Sequence, residues 1–208
     1  MALFRTNRLF YVTYLIVLLA TGGFMVLYSK DQLIRWVNTY NSVGADYFFD
    51  YATYLGDGAF FVLVIVILFF VSRRMGALAL AAFSVSSLLS IFFKRVVFPN
   101  NFRPVKYFEH SNWEYHVIKG LKIYEYNSFP SGHTISAFTV FCLAALLDSN
   151  KNRGWLWVLL AGMVGYSRVY LFQHFVEDAF AGSIIGVLTS TSVYLAFNRW
   201  WPIETASA

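Results

Sequence analysis

Apolar residues along this chain gather in six runs, at roughly 9–28, 58–71, 76–93, 132–147, 155–166 and 179–197. Nearly all the charge falls between them. A helix that crosses a bilayer needs about 20 apolar residues at about 1.5 Å of rise each. The pattern therefore predicts six transmembrane helices, with polar ends extending the shorter second, fourth and fifth runs. Two intervening segments carry a helical period of their own. "SKDQLIRWVNTYN" puts Leu33, Trp36, Val37 and Tyr40 on one stripe, and "ADYFFDYATYLGDG" has a similar aromatic stripe. Both read as short helices lying in the membrane interface. "HVIKGLKIYEY" alternates, which predicts extended chain around a glycine turn. The expected class is all-α: one polytopic membrane domain over 1–208 with interfacial helices in its outer loops.

Composition strengthens this reading. Of 208 residues, 58% are hydrophobic and 13% charged, about half the charge usual in a soluble domain. A water-facing surface built from this mixture would carry large apolar patches. Arg5 and Arg8 precede the first run as in a secretory leader, but that run is long and further runs follow it. The formal charge of +5 comes without a basic cluster on a soluble fold, so no nucleic-acid partner is expected. The single cysteine, Cys142, excludes an intrachain disulfide and reads as a small buried hydrophobe.

Charge also orients the chain. Six spans divide the connecting segments into two sets. One set, 1–8, 72–75, 148–154 and 198–208, is short and holds Arg5, Arg8, Arg73, Arg74, Lys151, Arg153 and Arg199 against Asp148 and Glu204. The other, 29–57, 94–131 and 167–178, balances nine basic against nine acidic residues over a much greater length. Dense basic charge in short loops marks the cytoplasmic side. Both termini are therefore expected in the cytoplasm, and the longer segments outside.

Three polar patches fall in that outer set. "KRVVFPNNFRP" offers Lys94, Arg95 and Arg103; cations at a span end snorkel to headgroups, or combine to grip a phosphate. In "NSFPSGHT", Pro130 suits the first turn of a helix, and Ser131 and Gly132 would offer backbone N–H groups to an anion there. His133 follows, able to exchange a proton near neutral pH; a capped helix start with an incidental histidine is the plainer reading. In "SRVYLFQHFVED", His174 and Asp178 stand four apart and share a face if the segment is helical. An aspartate on one ring nitrogen leaves the other as a nucleophile. Arg168 would close over the outer oxygens. Together the patches supply cations, a Ser-Gly-His turn and a second histidine with a carboxylate, the set that phosphoryl transfer requires. The cations disfavour a divalent metal, and neither metal nor cofactor is expected.

The patches resemble the motifs of the type 2 phosphatidic acid phosphatase superfamily. Pro130-Ser131-Gly132-His133 matches one motif, Ser167-Arg168 through His174 to Asp178 another, and Arg103-Pro104 the end of the first. That first motif departs upstream: Val96 stands where the family's lysine falls, and eight residues separate Lys94 from Arg103. Lys94 is the first choice for the missing cation and Arg95 the second, with the "PNN" loop expected to hold the extra residues. The resemblance implies a core at about 58–197 and a six-helix membrane enzyme. It implies that His174 is phosphorylated, that Asp178 orients it, and that His133 protonates the leaving oxygen. Lys94, Arg103, Ser131, Gly132 and Arg168 would hold the phosphoryl oxygens.

His110 and His116 fit no motif and are expected in loops or the interface. Asp50 and Asp57 are expected to pair with outer-loop cations, and Tyr107, Phe108, Trp113 and Tyr115 to anchor loops. The partner is then a membrane phospholipid or isoprenoid phosphate, met at the outer face of a bacterial cytoplasmic membrane. Undecaprenyl diphosphate leads, with lipid A phosphates, phosphatidylglycerol phosphate and phosphatidic acid behind it. A lipid-to-lipid phosphotransferase would use the same residues, while a non-catalytic lipid-binding or transport protein would not need them intact.

Overall fold

The computed structural model describes residues 2–201. In chain order the helices are α1 Ala2–Thr6, α2 Arg8–Leu27, α3 Lys30–Thr39, α4 Val43–Ala52, α5 Gly58–Val71, α6 Arg73–Phe92, α7 Pro104–Tyr107, α8 Gly132–Leu147, α9 Gly154–Tyr170 and α10 Val176–Trp200. A 3₁₀ turn at Thr53–Gly56 leads into α5, a π-helical turn at Phe93–Val97 extends α6, and another 3₁₀ turn, Lys151–Arg153, precedes α9. No strand forms among the described residues; Phe102 and Tyr126 meet in one isolated antiparallel bridge. The far end of the basic segment, with Glu204, lies outside the described residues.

A helix occupies each of the six apolar runs, but not all are long enough to cross alone. Arg8–Leu27, Arg73–Val97 and Val176–Trp200 have the length and hydropathy, and Val43–Gly56 with Gly58–Val71 make a fourth candidate bent by 53°. Taken alone, α5, α8 and α9 have 14, 16 and 17 residues, short of the about 20 that a hydrocarbon core requires.

Two helices show how differently apolar sequence is used. α8 is apolar on every side and buried along most of its length, packed against α10, α9 and α6. That is the pattern of a helix at the centre of a bundle. α2 is equally apolar but buries only Phe10 and Tyr14, leaving Ile16, Leu19 and Val26 exposed, as suits a face turned to lipid. α10 approaches α8 through Gly182 and Gly186, four residues apart. A methyl group at either would sit 2.9 Å from the Ser131 carbonyl oxygen or 2.7 Å from that of Ile135. Small residues at this spacing let two membrane helices come into backbone contact.

The outer segments are more built than their sequence suggested. α3 forms as expected, with Ser29 and Gln32 in a reciprocal capping box; of its stripe it buries Leu33, and with it Ile34 and Asn38, which lie off the stripe. Trp36 and Tyr40 are exposed, and Trp36 leans on Phe24 and Tyr28. The reason is a second core above the bundle. There Ile34 meets Phe108, Val169, Phe172 and Phe175, with Trp113 and Tyr115 packed against them. In α4, Phe49 turns onto Tyr166 and Tyr170, while Tyr47, Phe48 and Tyr51 stay exposed. The alternating stretch remains irregular extended chain with a turn at Gly120, φ 88°. It is tied down where Arg103 N donates to Glu125 O (2.8 Å) and Ser128 N to Asn101 O (3.1 Å).

Candidate active site

The segment Ser167–Asp178 is not one helix. α9 stops at Tyr170, the chain reverses through Phe172 (φ 58°), and the amides of Gln173 and His174 both donate to the Arg168 carbonyl. Orphan carbonyls at a helix end are commonly satisfied by such a reversal. α10 then begins at Val176, so His174 sits in the turn and the shared helix face expected of His174 and Asp178 does not exist. The two meet nonetheless. Asp178 lies in the first turn of α10, and its Oδ2 accepts from Phe175 N (2.9 Å) and Ser128 Oγ (2.5 Å) and lies 3.3 Å from His174 Nδ1. Both side chains are 1% exposed. Burial holds the His174 imidazole well below the usual histidine range, and Arg103, Lys94 and Arg168 push the same way. The ring is therefore neutral. With Nδ1–H directed to the carboxylate, Nε2 keeps its lone pair. Asp178 Oδ1 is buried without a protein partner.

Ser131 caps α8, its Oγ accepting from Thr134 N at 3.4 Å and also from Thr134 Oγ1 at 2.9 Å, and its backbone N donates to the Asp178 carbonyl at 3.0 Å. That last bond joins the starts of α8 and α10. Pro130 precedes the cap rather than occupying the first turn, since the helix starts at Gly132. Gly132 faces Ser90 and Lys94; a methyl group there would lie 3.4 Å from Ser90 Oγ and 3.9 Å from Lys94 Cε. His133 follows with its side chain one-third exposed and Nε2 3.8 Å from Asp57 Oδ2.

Three cations surround these groups. Lys94 Nζ donates to Asn127 O at 2.9 Å. Arg103 is buried, giving Nε to Tyr126 O (3.0 Å) and Nη1 to both the carbonyl (3.1 Å) and the side-chain oxygen (3.0 Å) of Gln173. Arg168, also buried, donates Nη1 to Thr53 Oγ1 at 2.7 Å, and its Nε has no partner in the protein. Arg95 is exposed. The turn that separates the two neighbours is π-helical, with Phe98 N bonded to Phe93 O at 2.8 Å. A π turn absorbs a residue without ending the helix. Between Lys94 and Arg103 the chain runs through this turn and then the Pro99–Asn100 reversal, where Asn100 has φ 57°.

Of the remaining polar residues, His110 is exposed beside Glu109. His116 pairs with Asp46 at 2.9 Å, a carboxylate that also accepts from Tyr170 Oη at 2.6 Å. Ser128, Gln173, Thr53 and Asp57 carry hydrogen bonds or charge into the site, and no motif had marked Ser128, Gln173 or Thr53. A cavity of about 240 Å³ at His133 is lined by Gly56, Phe83, Ser86, Ser90, Gly132 and Ser136. A larger apolar cleft of about 550 Å³, between α2, α9 and α10, includes none of the candidate catalytic side chains.

A family model described as the PAP2 superfamily matches residues 74–202. The bacitracin transport permease protein BcrC of Bacillus licheniformis is 44% identical over 68 residues, 33% of this chain and 32% of that protein. The chain spans about a third of the length of the curated relatives it matches. The crystal structure of Aquifex aeolicus LpxE superposes with a TM-score of 0.67 at 26% identity, covering 78% of this chain and 92% of that one. The crystal structure of the first transmembrane PAP2-type phosphatidylglycerolphosphate phosphatase from Bacillus subtilis gives 0.68 at 24% identity, covering 95% and 98%.

Proposed function

The chain belongs to the PAP2 superfamily, and from that premise we propose that it is a lipid phosphatase working through a phosphohistidine. The observation that carries the reading is the buried His174–Asp178 pair, 3.3 Å apart, with Lys94, Arg103 and Arg168 close enough for their charges to act on the same imidazole. His174 Nε2 attacks phosphorus, forming an N–P bond as the P–O bond to the lipid breaks. The cations neutralise the equatorial oxygens as charge spreads over them. Arg168 Nε, without a protein partner, is a donor available to one of them. His133 gives its proton to the departing oxygen. Water then attacks phosphorus, the N–P bond breaks, a water proton returns to His133, and inorganic phosphate leaves.

The substrate is a membrane lipid carrying a phosphomonoester or diphosphate. Undecaprenyl diphosphate is the first to test, followed by phosphatidylglycerol phosphate, lipid A phosphates and phosphatidic acid. All six apolar helices cross the bilayer in this reading, the polar ends of α5, α8 and α9 making up their length. The site then opens on the outer face, with both termini in the cytoplasm.

Purified protein in detergent should release phosphate from at least one of these lipids, equally with and without a chelator. No release from the whole panel would overturn the reading. For orientation, a cysteine placed in 148–154 of a Cys142-free chain should resist a membrane-impermeant thiol reagent in intact cells. One placed beside Lys119 should react.

A further inference from the structure

Residues 53–57 lie upstream of the stretch matched by the family model, yet they touch the site three times. Thr53 Oγ1 accepts from Arg168. Gly56 packs against the start of α8 so closely that a methyl group there would come 2.6 Å from the His133 carbonyl oxygen; the chain needs glycine at this position to bring the next residue to the histidine. That residue is Asp57. Its Oδ1 accepts from Ala59 N at 2.8 Å, capping α5, and its Oδ2 lies 3.8 Å from His133 Nε2. The cap pins the carboxylate, and the close approach of Gly56 pins its distance from the imidazole.

The charges around His133 make this pairing consequential. Arg168 faces it from α9, Arg103 from the outer loop and Lys94 from the π turn, all positive, and His174 lies in the turn beyond. A histidine among three cations loses its proton easily, yet a general acid must enter the reaction protonated. Asp57 is the carboxylate that opposes them.

We propose that Asp57 is the ionic partner of His133: a positioning residue that fixes the ring's orientation and sets a negative charge against the three cations. The proposal rests on the reading of His133 as the acid. It gives the site two histidine–carboxylate pairs, one serving the nucleophile and one the proton donor. Asp57 acts through His133 and need not touch the substrate.

Asn caps a helix about as well as Asp, so Asp57→Asn removes the charge and keeps the fold. The ring resonances of His133 in detergent-solubilised protein, assigned by their loss in His133→Gln, should titrate about one pH unit lower in Asp57→Asn, as expected when a carboxylate within 4–6 Å is neutralised. Asp57→Glu should recover part of the shift. In turnover, the alkaline limb of the rate profile should move to lower pH. The loss should be greater for a lipid alkoxide than for a nitrophenyl leaving group, and Asp57→Asn should add nothing in a His133→Ala background. A His133 midpoint unchanged by Asp57→Asn would overturn the pairing whether or not the protein turns over. A shifted midpoint with no phosphate released from any substrate would keep the pairing and overturn the reading of His133 as an acid.

Discussion

The two histidine–carboxylate pairs differ in almost every physical respect. His174 and Asp178 are each 1% exposed and 3.3 Å apart, and the carboxylate is further held by Ser128 and the Phe175 amide. His133 and Asp57 are 33% and 44% exposed and 3.8 Å apart, each at the start of its own helix. A buried pair in low dielectric holds one tautomer and one orientation, which a nucleophile needs. A half-exposed pair can lose and regain a proton from water, which an acid needs at every turnover. The difference teaches how one site can give two imidazoles different access to water under the same three cations.

The largest effect should come from removing the buried ring. His174→Ala should bring turnover to background and abolish the radiolabelled phosphoenzyme trapped by an acid-free quench; label retained at wild-type level would break the comparison at its root. Asp178→Asn should follow, lowering kcat about 10³- to 10⁴-fold through the wrong tautomer, as for the aspartate of a catalytic triad, with trapped label falling in step. His133→Ala should cost about 10²- to 10³-fold on lipid substrates and recover more than His174→Ala with nitrophenyl phosphate. Equal recovery would show that the pairs do not divide the work. Lys94→Met should lose about 10²-fold in kcat, by analogy with a lost oxyanion donor, and Arg95→Met little. Equal losses would mean that the π turn does not select between them. Ser128→Ala should cost less than Lys94→Met, about tenfold, the scale of one hydrogen bond to a charged group. Ser128→Thr should restore part of it if the hydroxyl, not the packing, matters.

Much of this site was legible along the chain. Pro130–His133 and Ser167–Asp178 are contiguous, so their residue types and spacing sufficed to single out His133, His174, Asp178, Ser131, Gly132 and Arg168. Geometry was less legible. The i, i+4 spacing of His174 and Asp178 suggested a shared helix face, whereas Phe172 turns the chain and the pair forms across a helix start. The stripe read on α3 included Leu33 and Val37, which pack against the protein, but not Ile34. Trp36 and Tyr40 make a good apolar stripe, but Ile34 is the residue that meets the aromatic core, and nothing local distinguishes the two.

The sequence by itself determined that this is a helical membrane protein, where its helices lie, and which short motifs carry histidine, carboxylate and cation. Those properties are local: an apolar run or a motif holds its information in neighbouring residues. The tertiary structure alone decided that Lys94 and not Arg95 faces the site, because that choice depends on the pitch of one π turn against the Asn127 carbonyl. It alone brought Ser128 to Asp178, Thr53 to Arg168 and Asp57 to His133, residues 50, 115 and 76 apart in sequence. Contacts over such separations are set by how α5, α8, α9 and α10 pack, and packing depends on many side chains at once rather than on any one stretch of the chain.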